Sequence, residues 1–184
     1  MTAEEITAVL EQELADAIAG ADSGGMHPHV WVTAVRLHDV MQFLRDDSRL
    51  QFNMLRCVSG VDGPASNEID VVYDLLSMQP AVSELWRARH AFAVKVRLDR
   101  ANPHVPSVAD LWPTADWHER EAYDLFGIVF DGHPDSIKDH DGLHPQRILC
   151  PDDWVGYPLR KDYVFPDEYH GIPGKLEAVP PGPG

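Results

Sequence analysis

The chain has 184 residues, with 15 Lys and Arg against 30 Asp and Glu, so its formal charge is −15 at pH 7. At 44% hydrophobic it can build a real core, and its length corresponds to one domain plus an extension. Such acidity excludes a nucleic-acid binder working through a general basic surface, which needs clustered Lys and Arg, and it disfavours adsorption on anionic lipid.

Residues 2–19 read as a helix. Thr2 is the capping residue, and Glu5 completes a capping box. Ile6, Val9, Leu10, Leu14, Ala17 and Ile18 recur at helical spacing, Gly20 is the stop, and 21–25 form a loop. His29–Val35 is rich in β-branched residues and reads as a strand. Leu37, Val40, Met41 and Leu44 form a helical stripe that ends at Asp46-Asp47-Ser48.

Met54–Val61 and Ile69–Leu76 are strands joined across an Asp62-Gly63-Pro64 turn. Phe92, Val94, Val96 and Leu98 alternate with Ala93, Lys95 and Arg97, giving a further strand with one wet face. The order α-β-α-β-β-β, then helix, predicts an α+β fold: an antiparallel or mixed sheet with helices on one side. An extended C-terminal tail rich in Pro and Gly follows it.

Ser107 caps a helical turn over Val108–Trp112. Pro113 interrupts, Thr114 is positioned as the next cap, and a helix runs from Ala115 to Phe126 with Gly127 as its stop. Ile128–Phe130 is a short apolar stretch. The expected organisation is therefore an α+β domain over 1–130, a His/Asp-rich loop region over 131–150 and an extended partner-binding tail over 151–184. The tail holds 7 Pro and 5 Gly, so it runs extended. It also carries Trp154, Tyr157, Tyr163, Phe165 and Tyr169. Solvated linkers are poor in aromatics, so the tail needs a surface, either its own domain or a partner.

Two clusters could carry chemistry. On the 115–126 helix, His118, Glu121 and Asp124 stand three apart, a spacing compatible with a metal or acid/base site. The alternative is a salt-bridged helix with an Arg120–Asp124 pair beside an apolar stripe of Trp117, Ala122, Leu125 and Phe126. The second cluster is His133-Pro134-Asp135 with His140 and His144. Gly142 between the last two histidines and Pro145 after them disfavour a helix holding both at one metal. Cys57 and Cys150 stand alone, without a C-x-x-C, and read as free thiols in a reducing compartment. The sequence has neither a phosphate-cradling glycine motif nor a nucleophile elbow. It shows no signal peptide and no apolar run long enough to span a membrane, so the chain reads as soluble.

The run Glu119-Arg120-Glu121-Ala-Tyr-Asp124-Leu-Phe-Gly127-Ile-Val-Phe-Asp-Gly-His133-Pro134-Asp135 resembles the 30 kDa subunit family of respiratory complex I, the NADH-quinone oxidoreductase. The resemblance continues through Arg147-Ile-Leu149 and Asp153-Trp154-Val-Gly156-Tyr-Pro158-Leu159-Arg160-Lys161-Asp162-Tyr163. Ser136–Gln146 departs from the family's usual spacing as an insertion.

The resemblance implies an assembly subunit of the peripheral arm with no catalytic, cofactor-binding or metal residue of its own. Electrons pass from NADH through FMN and iron–sulfur clusters of other subunits to quinone. It implies contact with the quinone-site and Fe–S subunits, no nucleic acid, and attachment to the cytoplasmic side of the inner membrane only through the complex. Trp154, Pro158, Leu159, Arg160, Lys161 and Asp162 would lie along a neighbouring subunit, with Arg160 forked on a carboxylate. The rival readings are the equivalent subunit of a membrane-bound hydrogenase or ferredoxin-driven complex, and a stand-alone metal-dependent enzyme.

Overall fold

In the computed structural model, which describes residues 1–80, 86–139 and 142–174, the first helix α1 (Ala3–Glu13) starts at the expected capping box. The Thr2 hydroxyl accepts from the Glu5 N–H, and the Glu5 carboxylate accepts from the Thr2 N–H. The helix is shorter than the 2–19 pattern predicts. The chain leaves helical geometry at Leu14, makes one tight turn over Ala15–Ala17, and enters strand β1 (Ile18–Asp22). Gly20 and Ala21 therefore pair in a sheet, opposite Trp31 and Val30 of β2 (His29–Val32), instead of ending a helix. Pairing with the next strand overrides the local helical periodicity.

Helix α2 (Leu37–Asp46) buries the expected stripe of Leu37, Val40, Met41 and Leu44. Strands β3 (Met54–Gly63), β4 (Glu68–Pro80) and β5 (Trp86–Asp99) form a long antiparallel meander, and β2 joins β5 in parallel. The sheet order is β1-β2-β5-β4-β3, a mixed sheet as the sequence predicts. Alternation decides its faces. Ile69, Val71, Tyr73 and Leu75 of β4 and Phe92, Val94, Val96 and Leu98 of β5 are buried with Ile6 and Leu10 of α1 and the α2 stripe. On the other face, the Arg97 guanidinium forks onto Asp70 at 2.8 and 3.1 Å and lies 4.5 Å from the Trp31 ring.

Beyond the meander, β6 (His104–Pro106) and β7 (Val129–Asp131) pair in parallel, with helix α3 (Thr114–Phe126) as the crossover between them. Residue Pro113, not Thr114, precedes the first helical turn, and no side chain caps it. The stretch read as loop contains a hairpin of β8 (Ser136–Asp139) and β9 (Gly142–Pro145). His140 and Asp141 lie outside the described residues, as does the end of the expected tail beyond Gly174. The last described segment is irregular apart from a two-residue pairing of β10 (Glu168–Tyr169) with β11 (Ile172–Pro173). No described helix is long and apolar enough to cross a membrane.

Candidate partner interface

The last four carbonyls of a helix have no partner within it. At the C-terminal end of α3, the chain that follows supplies all four. Gly127 N–H donates to Tyr123 O at 2.7 Å, and Leu159 N–H to Leu125 O at 3.0 Å. Arg147 Nη1 reaches Asp124 O at 3.4 Å, and Arg160 Nε donates to Phe126 O at 2.7 Å. Two guanidinium groups thus sit at the negative end of the helix dipole, where cations are favoured. Arg160 Nε thus caps the helix, and its guanidinium lies 5.0 Å from the Tyr157 ring.

Asp124 is the centre of this junction. Its side chain is fully buried. Oδ2 accepts the N–H groups of Ile148, Leu149 and Cys150 at 3.0, 2.6 and 2.9 Å, and Oδ1 accepts Arg147 Nη1 at 3.0 Å. Burial pushes the Asp124 carboxyl up, but these donors outweigh it and hold the group below the ordinary carboxylate range. The neighbouring Cys150 thiol is pushed up to about 11 by burial and by the Asp124 carboxylate. Arg147 Nη2 continues to Gly156 O at 3.1 Å, and its guanidinium lies 5.9 Å from the Tyr123 ring and 5.4 Å from that of Tyr157.

Gly127 has φ 74°, and a Cβ there would collide with the Tyr157 ring. Gly156 has φ 84°, and a Cβ there would lie 2.8 Å from Tyr163. Both motif glycines are needed for backbone handedness and for close approach by a ring.

A second junction lies at the end of β3. Buried Asp62 receives a fork from Arg100, at 2.5 and 3.2 Å, and the Lys161 N–H at 2.7 Å. Burial raises the Asp62 carboxyl, and the Arg100 and Lys161 donors pull it below the ordinary range. Arg100 also pairs with Asp162. Residues 156–162 therefore rest their backbone on their own domain, and the outward side chains of Val155, Leu159, Val164 and Phe165 are exposed.

Glu119 is buried inside α3, where its carboxyl accepts Ser107 Oγ at 2.5 Å and Val108 N–H at 2.8 Å. It ties the 107–112 turn to the helix. Burial pushes it up to about 8, against the lowering effect of those two bonds.

The expected Arg120–Asp124 pair does not form. Arg120 donates to Gln146 O at 3.1 Å, pairs with Asp135 at 3.6 Å and lies over Trp117. Nor do His118, Glu121 and Asp124 converge. Six residues at about 100° each put the first and last about 120° apart around the helix. Asp124 is buried and Glu121 is exposed, while His118 has a buried Nδ1 without a hydrogen-bond partner among the described residues.

His133 is buried, with Nδ1 accepting the Asp135 N–H at 3.1 Å, so Nε2 carries the proton toward Asp116 O at 3.1 Å. Pro134 beside it is exposed. His144 stacks on Tyr123 at 4.5 Å. Among the described residues, no three His, Cys, Asp or Glu side chains come together to hold a metal. Lys161 and Asp162 have exposed side chains, Pro158 is half-buried, and Trp154 packs among Tyr163, Phe165 and Tyr169 at ring distances of 5.1 to 6.4 Å. The sequence shows the motif residues but not their partners. It gives no sign of the Asp62–Arg100 fork, because Asp62 reads there only as part of a turn and Arg100 stands in no motif.

Residues 30–169 match the family model described as the 30 kDa subunit of respiratory-chain NADH dehydrogenase. The chain is 43% identical to the C subunit of NADH-quinone oxidoreductase from Chloroherpeton thalassium, over 89% of this chain and 62% of that one. It is 44% identical to the corresponding protein of Chlorobium phaeobacteroides, over 89% and 90% of the two chains. Among solved structures it is similar to a trypsin-resistant fragment (1–134) of Nqo5, with TM-score 0.56, 33% identity and coverage of 71% and 98%. It is also similar to a chain of the membrane-bound sulfane sulfur reductase, an archaeal respiratory membrane complex, with TM-score 0.63, 26% identity and coverage of 88% and 84%. With its motif residues built into the α3 junction and its match running from β2 to β10, the chain belongs to the 30 kDa subunit family of respiratory-chain NADH dehydrogenase.

Proposed function

We propose that this protein is a structural subunit of the peripheral arm of an NADH:quinone oxidoreductase, holding neighbouring subunits together while electron transfer takes place in them. The FMN, the iron–sulfur clusters and the quinone site belong to those neighbours. The chain sits on the cytoplasmic side of the inner membrane and reaches it only through the complex. The observation that carries this reading is the two-sided segment 147–165. Its inner side is hydrogen-bonded to α3 and β3, and its outer side presents Val155, Leu159, Val164 and Phe165 without cover from the described residues. Exposed apolar side chains on a rigidly held segment are what a partner surface requires.

The division into an α+β domain over 1–130, a connecting region over 131–150 and a partner-binding tail over 151–184 belongs to this proposal. So do the interface roles of Trp154, Pro158, Leu159, Lys161 and Asp162. Glu119, Arg120, Asp124, Gly127, His133, Arg147, Gly156 and Arg160 act behind that surface by setting its shape.

The decisive experiment is purification of the tagged chain from solubilised membranes, with mass spectrometry of what accompanies it. Quinone-site and Fe–S subunits together with a flavin-binding NADH dehydrogenase module are the expected companions. A hydrogenase or sulfur-reductase module in place of the NADH module favours the alternative that the similarity to the sulfane sulfur reductase chain supports. A chain that purifies alone overturns both.

A further inference from the structure

We infer that the cleft beside Trp154, Tyr163 and Tyr169 receives the cationic side chain of a Lys- or Arg-bearing segment from a neighbouring subunit. This rests on the assembly role proposed above and adds the chemistry of the partner. The cleft has a volume of about 400 Å³ and is walled by those three rings, with Val155 and Val164 at its rim. Phe165 packs edge-on against two of these rings, 6.2 Å from Trp154 and 5.1 Å from Tyr163. Ring faces carry negative electrostatic potential and bind ammonium or guanidinium groups.

A carboxylate completes the site. Asp153 lines the cleft and is held in place by Tyr169 Oη, which donates at 2.6 Å, and by His170 Nε2 at 2.7 Å. Each carboxylate oxygen keeps accepting capacity after one such bond. The surroundings reinforce the sign. Residues 151–174 carry Asp152, Asp153, Asp162, Asp167 and Glu168 against Arg160 and Lys161, with His170 in addition. Arg160 and Asp162 are already engaged with the chain's own domain. An anionic occupant would meet Asp153 and the ring faces with the wrong charge. A purely apolar one would strip the exposed Asp153 carboxylate of water and leave its remaining accepting capacity unmet, which is costly. A long basic side chain satisfies both: its stem covers Val155 and Val164, each 84% exposed, and its head lies on the rings near the carboxylate.

The test is site-specific photo-cross-linking in the native complex. p-Benzoylphenylalanine replaces Val164 in the full chain, membranes are irradiated, and the cross-linked peptide is sequenced. The expected product is a Lys- or Arg-containing segment of another subunit. Its yield should fall at least fivefold with Asp153→Asn or Tyr169→Leu, and stay within twofold with Tyr169→Phe, which keeps the ring. A native gel of the same membranes separates the two claims. If the chain migrates within the large complex but Val164 labels lipid, a second copy of this chain, a segment without Lys or Arg, or nothing, the inference is wrong and the assembly role stands. Equal yield in all three variants also overturns it. If the chain migrates alone, the assembly role itself fails, and this inference with it.

Discussion

Asp124 and Arg147 stand 23 positions apart in the chain, yet their side chains meet at 3.0 Å with the carboxylate wholly buried. The pair joins the end of α3 to the segment that carries the exposed aromatic surface.

Removing one partner of a buried ion pair costs up to about 3–5 kcal/mol. Asp124→Ala should lower unfolding stability by that order, because three backbone N–H groups lose their acceptor as well. Arg147→Met should cost less, since Asp124 keeps those three donors. The double variant should cost less than the sum of the singles. Urea unfolding followed by tryptophan fluorescence measures all three. Simple additivity would mean that the two side chains are not coupled.

Gly127 and Gly132 separate two effects of one substitution. Both have positive φ, at 74° and 80°, but a Cβ at Gly127 meets the Tyr157 ring and one at Gly132 meets nothing within 4 Å. Gly132→Ala should cost only the backbone term, about 1 kcal/mol. Gly127→Ala should cost visibly more and shift Tyr157 in a tyrosine-sensitive near-ultraviolet spectrum. Equal losses of thermal stability in the two variants would contradict the close approach of Tyr157.

Glu119 makes stability depend on pH with a definite sign. Its carboxyl is pushed up to about 8 in the folded chain by burial, from an ordinary value of 4.5. Below pH 4.5 both states hold the proton, and the group's contribution is complete. Between 4.5 and 8 the unfolded chain releases the proton while the folded chain keeps it. Stability then falls by up to about 1.4 kcal/mol per pH unit. Above 8 the loss is complete. Urea midpoints at pH 5, 7 and 9 should decline less steeply in Glu119→Gln than in the parent. Parallel declines would remove Glu119 as the source.

Truncation should distinguish the inner from the outer role of the tail. A chain ending at Tyr163 keeps the donors from Leu159, Arg160 and Lys161 to Leu125 O, Phe126 O and Asp62. It should unfold within about 1 kcal/mol of the full chain. A chain ending at Cys150 loses all three, each worth about 1 kcal/mol or more, and should be less stable by about 3 kcal/mol. Both should enter the complex poorly if the aromatic surface is the docking site, which co-purification with the neighbouring subunits measures.

What local chemistry dictates is readable from the amino acids alone. The α1 capping box, the α2 stripe, the alternation of β4 and β5 and the Gly127 stop all depend on residues within one or two turns of each other. The motif Glu119–Asp135 with Asp153–Tyr163 points to the family without any fold. Partner choice is not readable. Local spacing puts Asp124 beside Arg120, and nothing in it points to a helix end for Arg160. The folded chain pairs Asp124 with Arg147 and gives Arg160 a helix carbonyl. It also turns Ile18–Asp22 from helix end into edge strand. Periodicity reports which side of an element leaves water, because burial acts on every residue of that side. It does not say which of several donors closes a given acceptor. That depends on where distant segments come to rest, and only the tertiary structure decided it.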